Sequence, residues 1–217
     1  MLKKTFYLLF ASALLFSCKK EEPTPTPAAP SPTTPTTPST NNFFISAKLD
    51  GTTWSVQHNV NEYYLGVGHS ANIQPNGDMT LDYNASISQS EPTNTPSAIG
   101  DLEVGLSGFF TNLGPYTTDN AIFDSHFTLG SKPYFVDGSS TSGAEIKYYD
   151  GNNNEYSTRY GDQTGSTFNL TSAENTTLNG SDGKLSKATF SCKLYSQGGP
   201  GYITVTDGSF YVIFDKY

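Results

Sequence analysis

The chain has 217 residues, a formal net charge of −8, two cysteines and 29 aromatic residues, counting fourteen Tyr, fourteen Phe and one Trp. Its acidity and the absence of Lys/Arg clusters exclude a nucleic-acid backbone as partner. Two cysteines exclude a disulfide-framed mini-protein, and no apolar run reaches the ~20 residues of a spanning helix.

In chain order, the first element is a leader. Lys3 and Lys4 form a positive n-region, and Phe6 to Phe16 is an unbroken apolar and small-residue run. Eleven helical residues span roughly 16 Å, well short of a ~30 Å hydrocarbon core, so residues 1–17 read as a signal peptide. Residues 18–42 change composition. They carry seven of the thirteen prolines, at 23, 25, 27, 30, 32, 35 and 38, among Thr, Ser and Ala. With nothing to bury, this stretch reads as a stiff linker; roughly twenty residues in polyproline II form reach ~60 Å.

Residues 43–217 read as one folded domain, in which eight Lys/Arg stand against eighteen Asp/Glu. "ISAKLDGTTWSV" alternates on both sides of Asp50-Gly51 and predicts a hairpin. In "DMTLDYNASIS", Met79, Leu81, Tyr83, Ala85 and Ile87 form an apolar row opposite a polar one, the pattern of a half-buried strand. "DLEVGLSG" sends Leu102, Val104 and Leu106 inward, with Asp101, Glu103 and Ser107 outward. "AIFDSHFTLG" reads as another alternating run, with His126 opposite Phe123, Ser125 and Phe127. "GAEIKYYD" sends Ala144, Ile146 and Tyr148 one way, and Glu145, Lys147 and Tyr149 the other. In "ATFSCKLYS", Cys192 shares a face with Phe190 and Leu194, which makes it a small core hydrophobe. "YITVTDGSFYVIF" predicts a second hairpin at Asp207-Gly208, and its last strand, Phe210 to Phe214, is apolar on both faces and therefore central. Further Asp-Gly and Asn-Gly pairs at 76–77, 137–138, 150–151, 179–180 and 182–183 predict turns. About ten strands joined by short turns define an all-β fold: an antiparallel β-sandwich, with a barrel as the alternative.

Cys18 ends the apolar leader, and Lys19, Lys20, Glu21 and Glu22 follow it directly. Leu15-Phe16-Ser17-Cys18 resembles the lipobox of bacterial lipoproteins, although Phe16 is bulkier than is usual there. The resemblance implies cleavage between Ser17 and Cys18, a diacylglycerol on the Cys18 thiol and acylation of the new amine. More than one acyl chain gives stable anchoring. Cys-Lys-Lys-Glu-Glu resembles the acidic export tag of Bacteroidota lipoproteins, which implies an outer-membrane, surface-exposed location. The two ends of the domain, "ISAKLDGTTWSV" and "ATFSCKLYS" with "ITVTDGSFYVIF", resemble uncharacterised Bacteroidota cell-envelope lipoproteins. That family brings no catalytic residues.

The search for chemistry yields little. His58, His69 and His126 have no metal-ligand spacing, and the calcium-loop reading of "DGNNNE" fails because Glu155 replaces the required Gly and Gly161 the required Glu. No metal and no cofactor is expected beyond the covalent lipid on Cys18. Asp101 and Glu103 share a strand face at roughly 6–7 Å, near the range of glycosidase pairs. Their face reads as open to solvent, where nothing raises a carboxyl pKa. The candidate ligand contacts are Tyr63, Tyr64, Tyr149, Tyr156, Arg159 and Tyr160. They can stack on sugars or grip a protein partner, or serve as ordinary strand formers. The expected function is a non-enzymatic binding or accessory module, held at the membrane by its lipid and facing a glycan or an envelope protein. The alternatives are a glycan hydrolase with an unrecognised carboxylate site and a structural or adhesive envelope component.

Overall fold

The computed structural model describes residues 43–61, 63–89, 100–111, 120–138 and 140–216. The signal peptide, the Ser17/Cys18 processing site and the Pro/Thr linker, all within residues 1–42, lie outside the described residues.

Eleven strands follow in order: β1 (Phe44–Leu49), β2 (Thr52–Gln57), β3 (Tyr63–Ile73), β4 (Met79–Gln89), β5 (Asp101–Phe110), β6 (Gly130–Ser131), β7 (Gly143–Tyr149), β8 (Glu155–Ser157), β9 (Thr167–Leu178), β10 (Ser181–Ser196) and β11 (Tyr202–Asp215). A short helix, α1 (Asn120–His126), precedes β6, and a 3-10 turn (Thr158–Tyr160) follows β8. The protein is all-β, as its alternating pattern predicts.

The named strands form one antiparallel sheet in the order β2-β1-β11-β10-β8-β7-β5-β4-β3. The long β10 carries two partners on one edge, β9 along Ser181–Ser191 and β8 at Tyr195–Ser196. The sheet curls there, so that β3 and β4 return to lie against β11, β1 and β2. Two facing layers result, β2-β1-β11-β10-β9 and β3-β4-β5-β7-β8. This is the geometry of a sandwich, on a strand path that is also that of a half-barrel.

The core fills the space between the layers. Ile45, Trp54, Phe168, Phe190, Leu194, Phe210 and Phe214 face Leu81, Tyr83, Ile87, Leu102, Leu106 and Ile146, all buried. Phe210–Phe214 is central, with β10 paired along all of it and β1 along Phe210 and Tyr211, and even its outward Ile213 is fully buried. Cys192 is buried within the same cluster, and burial pushes its thiol up to about 12.

The turn pairs divide into two kinds. Asp50-Gly51 closes the predicted β1–β2 hairpin with φ of 46° and 82°, the left-handed pair that such a turn requires. Asn179-Gly180 does the same between β9 and β10. Asp207-Gly208 does not make the predicted hairpin. β11 runs straight through it, with a register shift against both β1 and β10, so Asp207 (φ 51°) is the extra residue of a β-bulge. Asp182-Gly183 likewise lies inside β10, not in a turn.

"AIFDSHFTLG" is not a strand. Its residues 121–126 lie in α1, where Phe123 is three residues from His126 and four from Phe127, so that all three share one side. Phe123 and His126 each lie 4.9 Å from the Tyr83 ring, and Phe127 lies 5.3 Å from Phe214. The helix therefore bridges the inner faces of β4 and β11. Lys184 on Asp124 (2.7 Å) and Lys216 on Asn120 tie it to β10 and the chain end. His126 is buried. Its Nδ1–H donates to the Ile122 carbonyl (2.8 Å), which leaves Nε2 as a buried lone pair with no partner.

Candidate functional site

The outer face of the β3-β4-β5-β7-β8 layer collects polar side chains in rows across the strands. Pairing places Asp101 beside Tyr149 and Glu155, and Ser86 beside Glu103, Lys147 and Ser157. The next row is Gly68, Asn84, Gly105 and Glu145. Period-two alternation puts these residues outward. Tertiary structure then covers part of them.

The cover comes from two segments. Residues 133–137 fold along the start of β7, with Phe135 N–H on the Ala144 carbonyl (2.8 Å) and Ala144 N–H on the Pro133 carbonyl (2.9 Å). The 3-10 turn is capped by Ser157, whose hydroxyl accepts from Arg159 N–H (3.1 Å), and this cap aims Arg159 back over the sheet. Glu145, outward by pattern, is therefore 4% exposed. It accepts from Arg159 Nε (2.6 Å) and Nη2 (2.5 Å) and from the Ser157 hydroxyl (2.9 Å). The Arg159 guanidinium also lies over the Phe135 ring, 5.1 Å from its centre, and 3.5 Å from Asp137. Burial opposes its charge, but Glu145, Asp82 and Asp137 more than compensate and raise its pKa. Lys147 donates to Glu103 (2.9 Å) and lies 3.8 Å from Glu145. Here too burial opposes the charge and the two carboxylates outweigh it.

Of the six candidate contacts, three meet here. Tyr149 (3.1 Å) and Tyr160 (2.6 Å) both donate to Glu155, beside Arg159. Burial and the Glu155 carboxylate push the Tyr160 phenol up to about 12. The other three do not join them. Tyr63 is a core residue at 6% exposure, which removes it from any ligand surface. Tyr156 packs against Tyr148 and the core. Tyr64 is exposed but stands beside His58 on β3, with β4 and β5 between it and Tyr149. Sequence reasoning missed Glu145, Glu155, Phe135 and Asp137 as members of the cluster. The "GAEIKYYD" alternation did carry Glu145 and Lys147 onto the right face.

A groove of about 360 Å³ opens beside this lattice, between the 74–78 turn and the 135–138 segment. Asn72, Gln74, Asp78, Thr80, Asp82, Asp137 and Arg159 line it, with Phe109 and Phe135 as its apolar surface. Asp82 Oδ1 is buried there without a hydrogen-bond partner, a costly arrangement for an acceptor. Carboxylates, amides and one guanidinium around two aromatic rings can bind a ligand rich in hydroxyls. Among the described residues no group of side chains is arranged to hold a metal ion.

The Asp101–Glu103 pair is less open than its pattern implies. Glu103 is taken up by Lys147, and burial raises the pKa of Asp101, whose Oδ1 also lacks a partner.

Fold and groove define this chain as an all-β domain with a polar, aromatic-lined surface groove. No family model, no characterised protein and no solved structure matches it.

Proposed function

We propose that the chain is a lipid-anchored protein of the cell envelope, and that residues 43–217 form a non-enzymatic binding module whose groove takes a hydroxyl-rich ligand such as a glycan. The observation that carries the binding reading is Asp82 Oδ1, a buried and unpartnered acceptor in a groove otherwise lined by donors, acceptors and two aromatic rings. A ligand hydroxyl donating to it would relieve the penalty. Anchoring is supported by the leader and by Cys18 with its Leu15-Phe16-Ser17 context. The tests are separate. Retention of a glycan by the chain on an array should fall with Asp82→Asn; unchanged retention rejects the groove. Cys18→Ser should leave unprocessed or soluble protein; full processing with membrane retention rejects the anchor.

The hydrolase alternative has one observation of its own, the half-buried Asp101, whose pKa burial raises and whose Oδ1 has no partner. A general acid needs such an environment. Polysaccharide cleavage abolished by Asp101→Asn would favour it over the binding module.

A further inference from the structure

The opposite layer carries a second surface of different chemistry. On the outer face of β2-β1-β11-β10-β9, pairing aligns Gln57, Phe44, Tyr211 and Lys187 in one row across four strands. The adjacent row is Ser55, Ser46, Ser209, Thr189 and Asn169, one short polar residue from each of five strands. Because the second row is short and the first is tall, a trough of about 710 Å³ runs across the strands, with Phe44, Tyr211 and Lys187 along one side.

We propose that this trough is a binding site for an extended, neutral polysaccharide laid across the strands. Four features of the site select that ligand. Strands stand ~4.8 Å apart, so the polar row spans roughly 19 Å at a regular pitch, a repeat close to the length of one pyranose ring, and three of its members, Ser55, Ser209 and Thr189, line the trough. Among the described residues the hydroxyls of Ser46, Ser55, Ser209 and Thr189 have no partner within the protein, so each is available as both donor and acceptor. Phe44 and Tyr211 are direct cross-strand neighbours and both line the trough, so each offers a ring against which the C–H face of a sugar can lie. Charge supplies the fourth. In a domain with eighteen carboxylates, none lines the trough, and its one cation, Lys187, lies over the Tyr211 ring at 4.6 Å. An anionic ligand would find one engaged lysine and a cationic ligand no counter-charge.

A peptide is disfavoured on backbone grounds. β1, β11 and β10, which carry the middle of the trough, are each paired on both sides, so its floor offers no free strand edge; the free edge of β2 lies at the trough's end, where an added strand would run along β2 and not across the strands. The site is independent of the groove, which lies on the other layer.

The test uses the full chain and four soluble neutral polysaccharides, a mixed-linkage β-glucan, a xylan, an α-mannan and a dextran, with polygalacturonate as the anionic control. Affinity electrophoresis and calorimetry give the readout. At least one neutral polymer should bind, with little change up to about 0.5 M salt. Phe44→Ala and Tyr211→Ala should each weaken it by at least about tenfold, the scale of a buried aromatic anchor. Ser209→Leu fills the trough from an outward position and should abolish binding while thermal unfolding stays at the parent value. Asp82→Asn should leave this binding unchanged. The proposal is overturned if none of the neutral polymers binds, if polygalacturonate alone binds, or if Phe44→Ala, Tyr211→Ala and folded Ser209→Leu all bind like the parent. It is also overturned if Asp82→Asn removes binding that Tyr211→Ala spares, which would place the ligand in the groove.

Discussion

The Glu145–Arg159 clamp gives a quantitative prediction. Glu145 is almost fully buried, and its neighbours are the two Arg159 nitrogens, Ser157 and a more distant Lys147. Arg159→Ala would leave a buried carboxylate with one hydroxyl and an ammonium 3.8 Å away. Breaking a buried pair from one side costs about 3–5 kcal/mol; the residual Lys147 contact places this variant near 3. For a domain of this length that corresponds to a fall in melting temperature of roughly 6–12 °C. Glu145→Gln should cost less, about 1–2 kcal/mol, because Arg159 keeps a fifth of its surface in water and still has Asp137 at 3.5 Å. The double variant removes the charge and its orphan together, so its cost should fall short of the sum of the singles by about 1–3 kcal/mol. Urea denaturation of the four proteins, compared at constant m-value, measures this coupling. Additivity within about 0.5 kcal/mol would show that the two side chains do not act as a unit and would refute the reasoning.

Three further predictions follow from the interior. Gly108 faces the buried His126 ring, so a Cβ there collides with the imidazole; Gly108→Ala should cost about 1–3 kcal/mol as an overpacked site, and a melting point within about 1 °C of the parent would contradict the packing. Burial holds Cys192 as an unreactive thiol, so in a Cys18→Ser background a disulfide reagent should label nothing until denaturant is added, and rapid native labelling would contradict its place in the core. Burial lowers the pKa of both His58 and His126; for His126, nearby Lys132 adds to the effect, while the Ile122 and Leu81 backbone groups and Asp82 oppose it. With folded values below the unfolded value of about 6.5, the unfolded chain binds more protons in that window. Stability is therefore full above pH ~6.5 and declines as pH falls through the window toward the folded values; a melting point that rises between about pH 7 and pH 5.5 would reverse this sign.

The sequence was most legible where local and tertiary preferences agree. At 44–57, alternation and Asp50-Gly51 point to the same hairpin, and the chain makes it. At Asp207-Gly208 the local signal is the same, but β1 and β10 pair with β11 on both sides of it. Folding back would forfeit those ladders, so the left-handed residue is absorbed as a bulge. The helix was hidden for a different reason. Phe123 and Phe127 fall on one face at period two, and with His126 they also fit a helical stripe; the successive apolar (Ala121–Phe123) and polar (Asp124–His126) triplets break strict alternation and favour the helical period. Tyr83 and Phe214 decide between them, since only a helix brings both phenylalanines and the imidazole to the gap between the layers.

The candidate site shows where period-two reasoning stops. Alternation can say that Glu145, Lys147 and Tyr149 leave the core side of β7. It cannot say that residues 133–137 and the 3-10 turn will return over that face, because those contacts are set by distant segments. The consequence for function is a division of labour across one polar face. Glu145, Glu103 and Glu155 are occupied by Arg159, Lys147 and two tyrosines, so they hold the lattice beside the groove, and Glu145 fixes Arg159 in its wall. Asp82, one row further along the sheet, has a carboxylate oxygen with no such partner. The two classes should therefore respond differently to substitution: wall residues should move melting temperature first, and Asp82 should move ligand retention with stability held. A stability loss at Asp82→Asn as large as that at Arg159→Ala would place Asp82 in the wall and remove the argument for an open acceptor.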